Sequence, residues 1–444
     1  MTGVTIIGGG ASGVLLAAHL LRDPGSDIAV TLIEKAQVGQ GVAYSASQHD
    51  HRVNVPARGM SAFADDADHF SRWLQSRGHP PEQSSWVFVP RRLYGTYLRD
   101  LLKEAGEANP GRLTVLHDEV LSVRETASGM ETLLANGTTL PSRHVVLAVG
   151  HETHSSRSRG IAVRVGSEDD TVLPSDAEVM ILGSGLSMVD AWVSLSDARH
   201  AGPITVISRN GLLPKGHRDV KPLAIAEAEV PFGASLVQWL RWFRALILET
   251  ETAGGDWRSV VDGIRPYNQR IWQSWSRETR RQFLRHLRPW WNIHRHRLPP
   301  ELHDRMADGV ASGQVRLVAG EFVTVTGRDL SAEAEIRRRG TTTRETMQIA
   351  RVYDCGGVSV NVETSSNPVI RNLVTSGKAR PDELRIGLDV DEHCAVIDAQ
   401  GHVSIRLLAI GPLTRGRFFE IEAIPDIRVQ AANIARRILA DAAN

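Results

Sequence analysis

Val4-Thr5-Ile6-Ile7-Gly8-Gly9-Gly10-Ala11-Ser12-Gly13 decides the reading of this chain. Four β-favouring residues run into a glycine-rich turn, after which Val14, Leu15, Ala18 and Leu21 recur at helical spacing. Strand, tight turn and helix in that order open a dinucleotide-binding unit. Gly8 permits the turn, Gly10 lets a pyrophosphate approach the backbone, and Gly13 lets the helix pack closely on the strand. Ala11 and Ser12 then sit where the phosphates meet the positive end of the helix. After Pro24-Gly25 a second strand is expected from Ile28 to Ile33, ending at Glu34, whose carboxylate can accept ribose hydroxyls. A lone glycine triplet means little in a chain with 39 glycines, but the whole succession is specific.

The pattern returns once. Glu178 to Leu182 reads as a strand, Gly183-Ser184-Gly185-Leu186-Ser187-Met188 as the turn, and Val189 to Leu195 as the helix. Met188 stands where glycine or alanine is usual, so helix and strand are expected to approach less closely there. The next strand, Ile204 to Ile207, ends in Ser208-Arg209 instead of an acid, and an arginine there can pair with a 2′-phosphate. The plainer reading of Arg209 is a solvated surface residue. An acid in the first unit and a base in the second suggest FAD in one and NADPH in the other. Val145 to Gly150 and Leu407 to Gly411 read as further strands of the FAD unit, and Val352 to Gly357 as one closing the NADPH unit; ordinary core strands ended by turn glycines remain the alternative.

With 444 residues and 42% hydrophobic content the chain can hold two or three domains. Lys plus Arg and Asp plus Glu both total 51, so no net field favours nucleic acid or an acidic membrane. Small-molecule partners are expected. Cys355 and Cys394, placed in separate predicted strands, form no disulfide framework or metal pattern; reduced thiols and a cytoplasmic location are expected. The N-terminus enters its first strand directly, leaving no room for a signal peptide, and no membrane span is expected. The fold class is therefore α/β: two Rossmann-like dinucleotide-binding domains with a helical Trp-rich insertion. The expected division is 1–152 and 358–444 for the FAD domain, 176–211 and 313–357 for the NADPH domain, and 212–312 for the insertion. The polar run Thr153 to Ser175 reads as a linker and Arg337 to Thr346 as a solvated hairpin.

Seven of the ten tryptophans lie between Leu212 and Pro300. Trp239, Leu240, Phe243 and Ile247 share a helical face, as do Ile271 with Trp275 and Phe283 with Leu287, predicting a helical subdomain with its own core that caps the active site. Its end, with Arg285, His286, Arg288, His294, Arg295, His296 and Arg297, reads as a basic surface for an anionic substrate or the NADPH phosphates. His294 and His296 alternate like strand or loop residues, and no metal site is expected.

Beyond the two glycine turns, the chain carries Gly39-Gln-Gly-Val-Ala-Tyr44, Asn54-Val-Pro-Ala57, Met60-Ser-Ala-Phe63, Val89-Pro-Arg-Arg-Leu-Tyr94, Arg209-Asn-Gly-Leu-Leu-Pro214, His294-Arg-His-Arg297, Gly411-Pro-Leu-Thr-Arg-Gly416 and Pro425-Asp-Ile-Arg428. In these it resembles, nearly end to end, the two-dinucleotide-binding flavoproteins described as FAD/NAD(P)-binding proteins, distant relatives of the class B flavin monooxygenases. Two departures stand out. Gly411-Pro412 replaces the Gly-Asp that many such flavoproteins aim at FAD, and no FxGxxxH stretch is present.

The resemblance implies that loop 39–74 lies along the flavin. Asn54, Met60 and Ser61 are the catalytic candidates there: Asn54 to hydrogen-bond the flavin, Met60 with Phe63 to exclude water, although core packing explains both apolar residues equally well. The other FAD contacts are assigned to Lys35, Arg92, Val120, Gly150, Gly411, Pro412, Asp426 and Ile427. Arg91, Arg92, Tyr94 and Tyr97 open a helix; Pro425-Asp426 starts another whose amides can face the flavin carbonyl. Flavin disulfide reductases share the layout, but residues 1–150 hold no cysteine to meet the flavin. The expected activity is an NADPH-dependent monooxygenase using molecular oxygen on a small polar molecule, with an amine nitrogen as the expected position. The alternatives are a dehydrogenase or reductase serving a quinone or protein acceptor, and a non-catalytic nucleotide-binding flavoprotein.

Overall fold

The computed structural model describes residues 3–45, 51–80, 86–153, 162–163, 172–328, 330–359 and 361–443. Val4–Ile7 is a buried strand with Val30–Ile33 and His144–Leu147 parallel on either side, in the registers Val4↔Val30 and Val4↔His144. The six-stranded sheet continues outward to Leu113–Leu116 on one side and to Val403–Ala409 and Ala395–Ile397 on the other. All its pairs are parallel except the last, which places most carboxyl ends on one edge. The second strand begins at Val30, later than the expected Ile28, because Ile28 is buried beside the strand without joining it.

The second sheet has seven strands in the order Arg344–Ile349, Ser331–Arg338, Val315–Arg328, Ile204–Ser208, Val179–Leu182, Arg351–Asp354, Ala162–Val163. Its centre is parallel, in the registers Val179↔Ile204 and Val179↔Arg351, and the 331–349 hairpin extends one edge antiparallel. Much of the expected linker lies outside the described residues, but Ala162–Val163 pairs with Val352 and Tyr353, so the run also supplies an edge strand. The two chain crossings between sheets, Glu152–Thr153 and Val358–Ser359, pair antiparallel as a short ribbon.

Helix Leu236–Thr252 and shorter helices up to Arg288–Arg295 build the tryptophan-rich insertion. Ser235 caps the first of these by accepting from Gln238 N, and Trp239 stacks on Phe243 at 4.9 Å between ring centroids. Its core is shared, in contrast to the self-contained subdomain expected. Trp272, 1% exposed, stacks on Phe419 at 4.6 Å and donates to the Gly416 carbonyl at 2.8 Å. Leu384 and Ile386 also pack against it. Burying each such side chain contributes roughly 1.5–3 kcal/mol, so the insertion and the FAD-side segment 384–419 stabilise one another.

Two further expectations change. His294 lies in the last turn of helix Arg288–Arg295 and His296 caps it, so neither belongs to a strand. Cys355 follows its strand and Cys394 precedes the next one at φ +66°; no disulfide joins them. No helix among the described residues is long and apolar enough to cross a membrane, and none of them form a metal-binding His, Cys, Asp or Glu group.

Candidate cofactor and substrate site

The two glycine turns are built alike. Gly8 and Gly183 have φ of +107° and +95°, a region L side chains rarely adopt, and each amide donates to its neighbouring strand, to the Ile33 and Ile207 carbonyls at 2.8 Å. A Cβ on Gly8 would stand 2.5 Å from the Ala148 carbonyl; one on Gly183 would stand 2.6 Å from that of Cys355. The third residues differ. A Cβ on Gly13 would lie 1.9 Å from the Gly8 carbonyl, whereas Met188 fills the apolar core beside its strand. The second residues leave room: the nearest atom to a Cβ on Gly10 would be Gly41 Cα at 3.6 Å, and nothing lies within 4 Å of one on Gly185.

Helices Ala11–Leu21 and Leu186–Asp197 begin at those glycines, with neither a side-chain cap nor an acid in the first turn. Their first amides are therefore available to an anion. Both cradles have the room and the free amides to hold the pyrophosphate of a dinucleotide. Gly411, at φ +70°, closes the first from above: a Cβ there would meet Ser12 Oγ at 2.4 Å, and its amide donates to Gln430 Oε1 at 2.7 Å. Gly150, at φ +69°, ends the neighbouring strand with open space at its Cβ.

Glu34 stands at the expected strand end, where its carboxylate accepts from the Gly9 and Ala36 amides at 2.6 and 2.8 Å. Lys35 turns outward to Glu119 at 2.8 Å, Val120 is buried in the core, and Arg92 is exposed beside Arg91. Arg91 instead bridges the two units through Asp190 at 3.0 Å. Ile427 is buried in the C-terminal helix Ile424–Ala443, Pro412 is buried in the turn Gly411–Thr414, and Asp426 pairs with Arg265 of the insertion at 2.9 Å.

Loop 54–61 meets the start of that C-terminal helix. Met60 is buried and its carbonyl accepts from the Tyr94 hydroxyl at 2.9 Å; the Ser61 carbonyl accepts from Arg428 at 3.0 Å. The Ser61 hydroxyl donates within its own loop, to the Asp66 carbonyl at 2.6 Å, so this side chain shapes the loop. Asn54 is half-buried, and its carbonyl accepts from His217 Nε2 of the other unit at 2.9 Å. A carbonyl can only accept, so Nε2 carries the proton; burial and the Arg297 charge push His217 down to about 3, keeping it neutral.

In the second unit the Ser184 hydroxyl donates to Ser208 Oγ at 2.8 Å, which also accepts from the Gly211 amide at 3.1 Å. This joins the glycine turn to the next strand end; Leu186 and Ser187 open the helix between them. Arg209 is exposed just beyond, and Arg339, whose side chain donates to Asn210 Oδ1 at 2.9 Å, brings a second guanidinium that sequence reading missed. For Arg209→Ala we expect kcat/KM for NADPH to fall on the order of 10–100-fold while that for NADH moves by no more than about twofold, the loss of one charge-assisted contact. Equal changes in steady-state assays with the two nucleotides would remove the 2′-phosphate role.

The basic end of the insertion divides: Arg285 and His286 are exposed and line an open hollow with Arg277, Arg281 and Arg385, while Arg295 and Arg297 turn inward. Arg295 pairs with Glu420 at 3.1 Å and Arg297 with Asp262, and both arginines are buried. Glu420 also accepts from Asn268 at 2.9 Å and Trp291 Nε1 at 2.5 Å. Burial alone would raise its carboxyl, but Arg295, His296, the Trp291 donor and Arg265 outweigh that and hold it below the usual range. Beside it, Glu422 pairs with Arg415, whose Nη2 also donates to His151 Nδ1 at 3.3 Å. Because Nδ1 accepts, the proton of neutral His151 sits on Nε2, 4.0 Å from Glu422 Oε2. Burial pushes His151 and His296 both down, against the pull of Glu422 on His151 and of Glu420, then Glu422, on His296. His151 follows Gly150 and Arg415 follows the Gly411 turn, so this cluster stands at the carboxyl ends of two adjacent strands, the ligand edge of such sheets.

Paired cradles, two parallel sheets and an insertion over one ligand edge define a two-domain FAD/NAD(P)-binding flavoprotein fold. Residues 5–152 match the protein family described as FAD-NAD(P)-binding, so the first unit is an FAD/NAD(P)-binding domain. No curated protein matches the chain. Among solved structures, the ornithine N-hydroxylase of Kutzneria sp. 744 superimposes with a TM-score of 0.68 at 13% identity, over 99% of both chains. An FAD-bound cadaverine monooxygenase of desferrioxamine biosynthesis from Erwinia amylovora gives 0.63 at 13% identity, over 98% of this chain and 94% of that one. Thioredoxin reductase of T. acidophilum gives 0.53 at 12% identity, over 100% of both. These likenesses are of fold.

Proposed function

We propose that this protein is an FAD-dependent, NADPH-using monooxygenase that hydroxylates a small polar substrate at an amine nitrogen. The observation that carries the reading is the cluster of His151, His296 and Glu422 at the ligand edge, where burial keeps two imidazoles neutral beside an ionised carboxylate. An ammonium group needs a carboxylate to bind it and a neutral base to free its lone pair. Glu422 provides the first, and His296, whose imidazole makes no hydrogen bond among the described residues, provides the second. When bound, FAD supplies the oxygen chemistry and NADPH the reducing equivalents. Gly8, Gly10 and Gly13 hold the first and Gly183, Gly185 and Arg209 the second, while Asn54, fixed by His217, and buried Met60 shield the ring from water. The amine hydroxylases among the structural neighbours agree with this reading.

A dithiol reductase, suggested by the thioredoxin reductase likeness, is disfavoured by the two cysteines. Cys394 is buried, its thiol pushed up to about 12, and Cys355 lies in the other unit. The test has two stages. NADPH should bleach the yellow flavin anaerobically, and air with an amine substrate should then give a hydroxylamine carrying oxygen from O₂. Fast flavin reduction followed by transfer to a quinone without oxygen incorporation would sink the monooxygenase reading.

A further inference from the structure

Arg277, Arg281 and Arg285 form a row on the surface of the insertion. Arg277 opens helix Arg277–Gln282, Arg281 lies one turn further on, and Arg285 follows after the same interval. All three are exposed, and none forms an ion pair or a hydrogen bond among the described residues. Arginines as exposed as these are paired at other places on the surface, Arg72 with Asp66 and Arg124 with Glu131. Like charges four residues apart repel on a helix, so the row weakens its own helix unless an anion meets it. The π-turn Phe283–Leu287, a backbone form that recurs at functional sites, then brings Leu284, Arg285 and His286 to one hollow.

The row is one wall of that hollow, and segment 383–385 of the FAD side is the other. Its volume is about 530 Å³, the size that takes a small organic molecule. Leu284 and Leu384, each half-buried against the tryptophan core, give it an apolar surface. Asp382 shapes the second wall: its carboxylate accepts from the Leu384, Ile386 and Gly387 amides at 2.8, 2.6 and 2.8 Å, and Arg385 among them stands at φ +57°. The lining acids are Glu383 and Glu278, which accepts from Gln282 at 3.4 Å. Behind the row, Arg280 donates to the Trp272 and Gln273 carbonyls at 2.8 and 3.0 Å and faces Glu383 and Asp382. Arg385 pairs with Glu363 at 2.6 Å, and Arg417 nearby with Glu392 at 3.2 Å. With that last pair neutral and Asp382 counted, the row, Arg280 and Arg385 exceed the remaining acids by one positive charge.

We propose that this hollow binds a small phosphate monoester with an apolar body, its oxygens on Arg277, Arg281 and Arg285 and its body against Leu284 and Leu384. A monoester brings three terminal oxygens and roughly 1.5 to 2 negative charges, whereas a carboxylate brings two oxygens and a single charge. Guanidinium forks match phosphate oxygens in pairs, which suits a row of arginines better than a row of lysines. A surplus of one charge fits one phosphate group; a polyphosphate chain would press its further charges on Glu278 and Glu383. The lining includes neither glycine turn and none of His151, His296 and Glu422, so this ligand is neither cofactor nor the amine. Because the two walls belong to the insertion and to the FAD side, a bound ester ties them together.

The experiment is calorimetric titration of the FAD-loaded protein with phenyl phosphate, inorganic phosphate and benzoate, each with and without saturating NADP+. Phenyl phosphate should bind at one site per chain, about tenfold tighter than benzoate and about fivefold tighter than inorganic phosphate, with NADP+ making no difference. Arg281→Ala and Arg285→Ala should each weaken it about tenfold, and Arg281→Lys should keep part of the affinity, since it retains the charge and loses the fork. Retention of FAD by each variant shows that it is folded. No binding by wild type, equal affinity for phenyl phosphate and either of the other two anions, or an unchanged affinity in the double variant Arg281→Ala with Arg285→Ala overturns the proposal and leaves a solvated basic face. Displacement of phenyl phosphate by NADP+ overturns it as well, because the hollow would then belong to the nucleotide site.

Discussion

Replacing Gly13 by alanine should yield a colourless, poorly folded protein, whereas the same change at Gly10, three residues earlier, should yield a folded one that binds FAD weakly. At Gly13 the new methyl would stand 1.9 Å from the Gly8 carbonyl and 3.3 Å from Ile6 Cγ2, both parts of the central strand and its turn. Backbone cannot swing aside like a side-chain end, so helix Ala11–Leu21 must move away from the sheet. Every residue of that helix from Ser12 to Leu21 except His19 is buried. Overpacking of this kind costs about 1–3 kcal/mol, and here it also pulls the helix amides away from the phosphates.

At Gly10 the methyl would have only Gly41 Cα at 3.6 Å, an ordinary contact, and the protein without FAD loses nothing. The methyl instead fills the space the pyrophosphate needs. Affinity for FAD should fall on the order of 100-fold, about 2.7 kcal/mol, with the melting temperature of the FAD-free protein unchanged. Flavin absorbance after gel filtration and thermal melts of both forms decide the matter. A Gly13→Ala protein that retains FAD at wild-type level would show that close packing of helix on strand is not what builds the cradle.

The contrast between these glycines marks what the sequence discloses. Strand Val4–Ile7 has its expected bounds because four β-favouring residues end at a glycine with φ +107°, a boundary set by local sterics. The repeat at Gly183 and the tryptophan-rich helices are legible for the same reason, since turn chemistry and helical spacing are local signals. The charged cluster was not. Arg295 and Arg297 read as an open basic surface because their partners lie 125 and 35 residues away. Glu420 and Glu422 gave one usable hint, two acids flanking a single isoleucine in the loop between the Gly411 strand end and the C-terminal helix, but acids in a loop ordinarily mean solvent. His217 and Arg339 depend on contacts between units and between strands, which no spacing within one segment encodes.

Loss of Glu420 should detach the insertion from the FAD unit more severely than loss of any tryptophan on its rim. Glu420 sits at φ +64°, a conformation that costs a non-glycine residue roughly 1–2 kcal/mol and that aims its carboxylate at the insertion. There it accepts from Arg295, Asn268 and Trp291, three donors on two different helices. Glu420→Ala leaves Arg295, 9% exposed, as an unpaired buried charge, a change on the order of 3–5 kcal/mol. Glu420→Gly should be slightly less damaging, because glycine accepts the left-handed conformation without strain. In the double variant Glu420→Gln with Arg295→Met, removal of both charges should recover much of the loss, since a buried pair is worth little against a neutral, well-packed replacement.

The sign of the pH dependence follows from the direction of the shift. Glu420 is held below its ordinary range, so its contribution is complete above the unfolded carboxylate value, roughly 4.3, and disappears as pH falls through the lower folded value. The stability gap between wild type and Glu420→Gln should therefore be constant near neutrality and narrow in acid. Limited proteolysis within 236–295 across that pH range reports detachment of the insertion separately from global unfolding. If Glu420→Ala is cleaved there no faster than wild type at neutral pH, the carboxylate is not what holds the insertion, and the packing of Trp272 on Phe419 together with the Arg265–Asp426 pair must hold it.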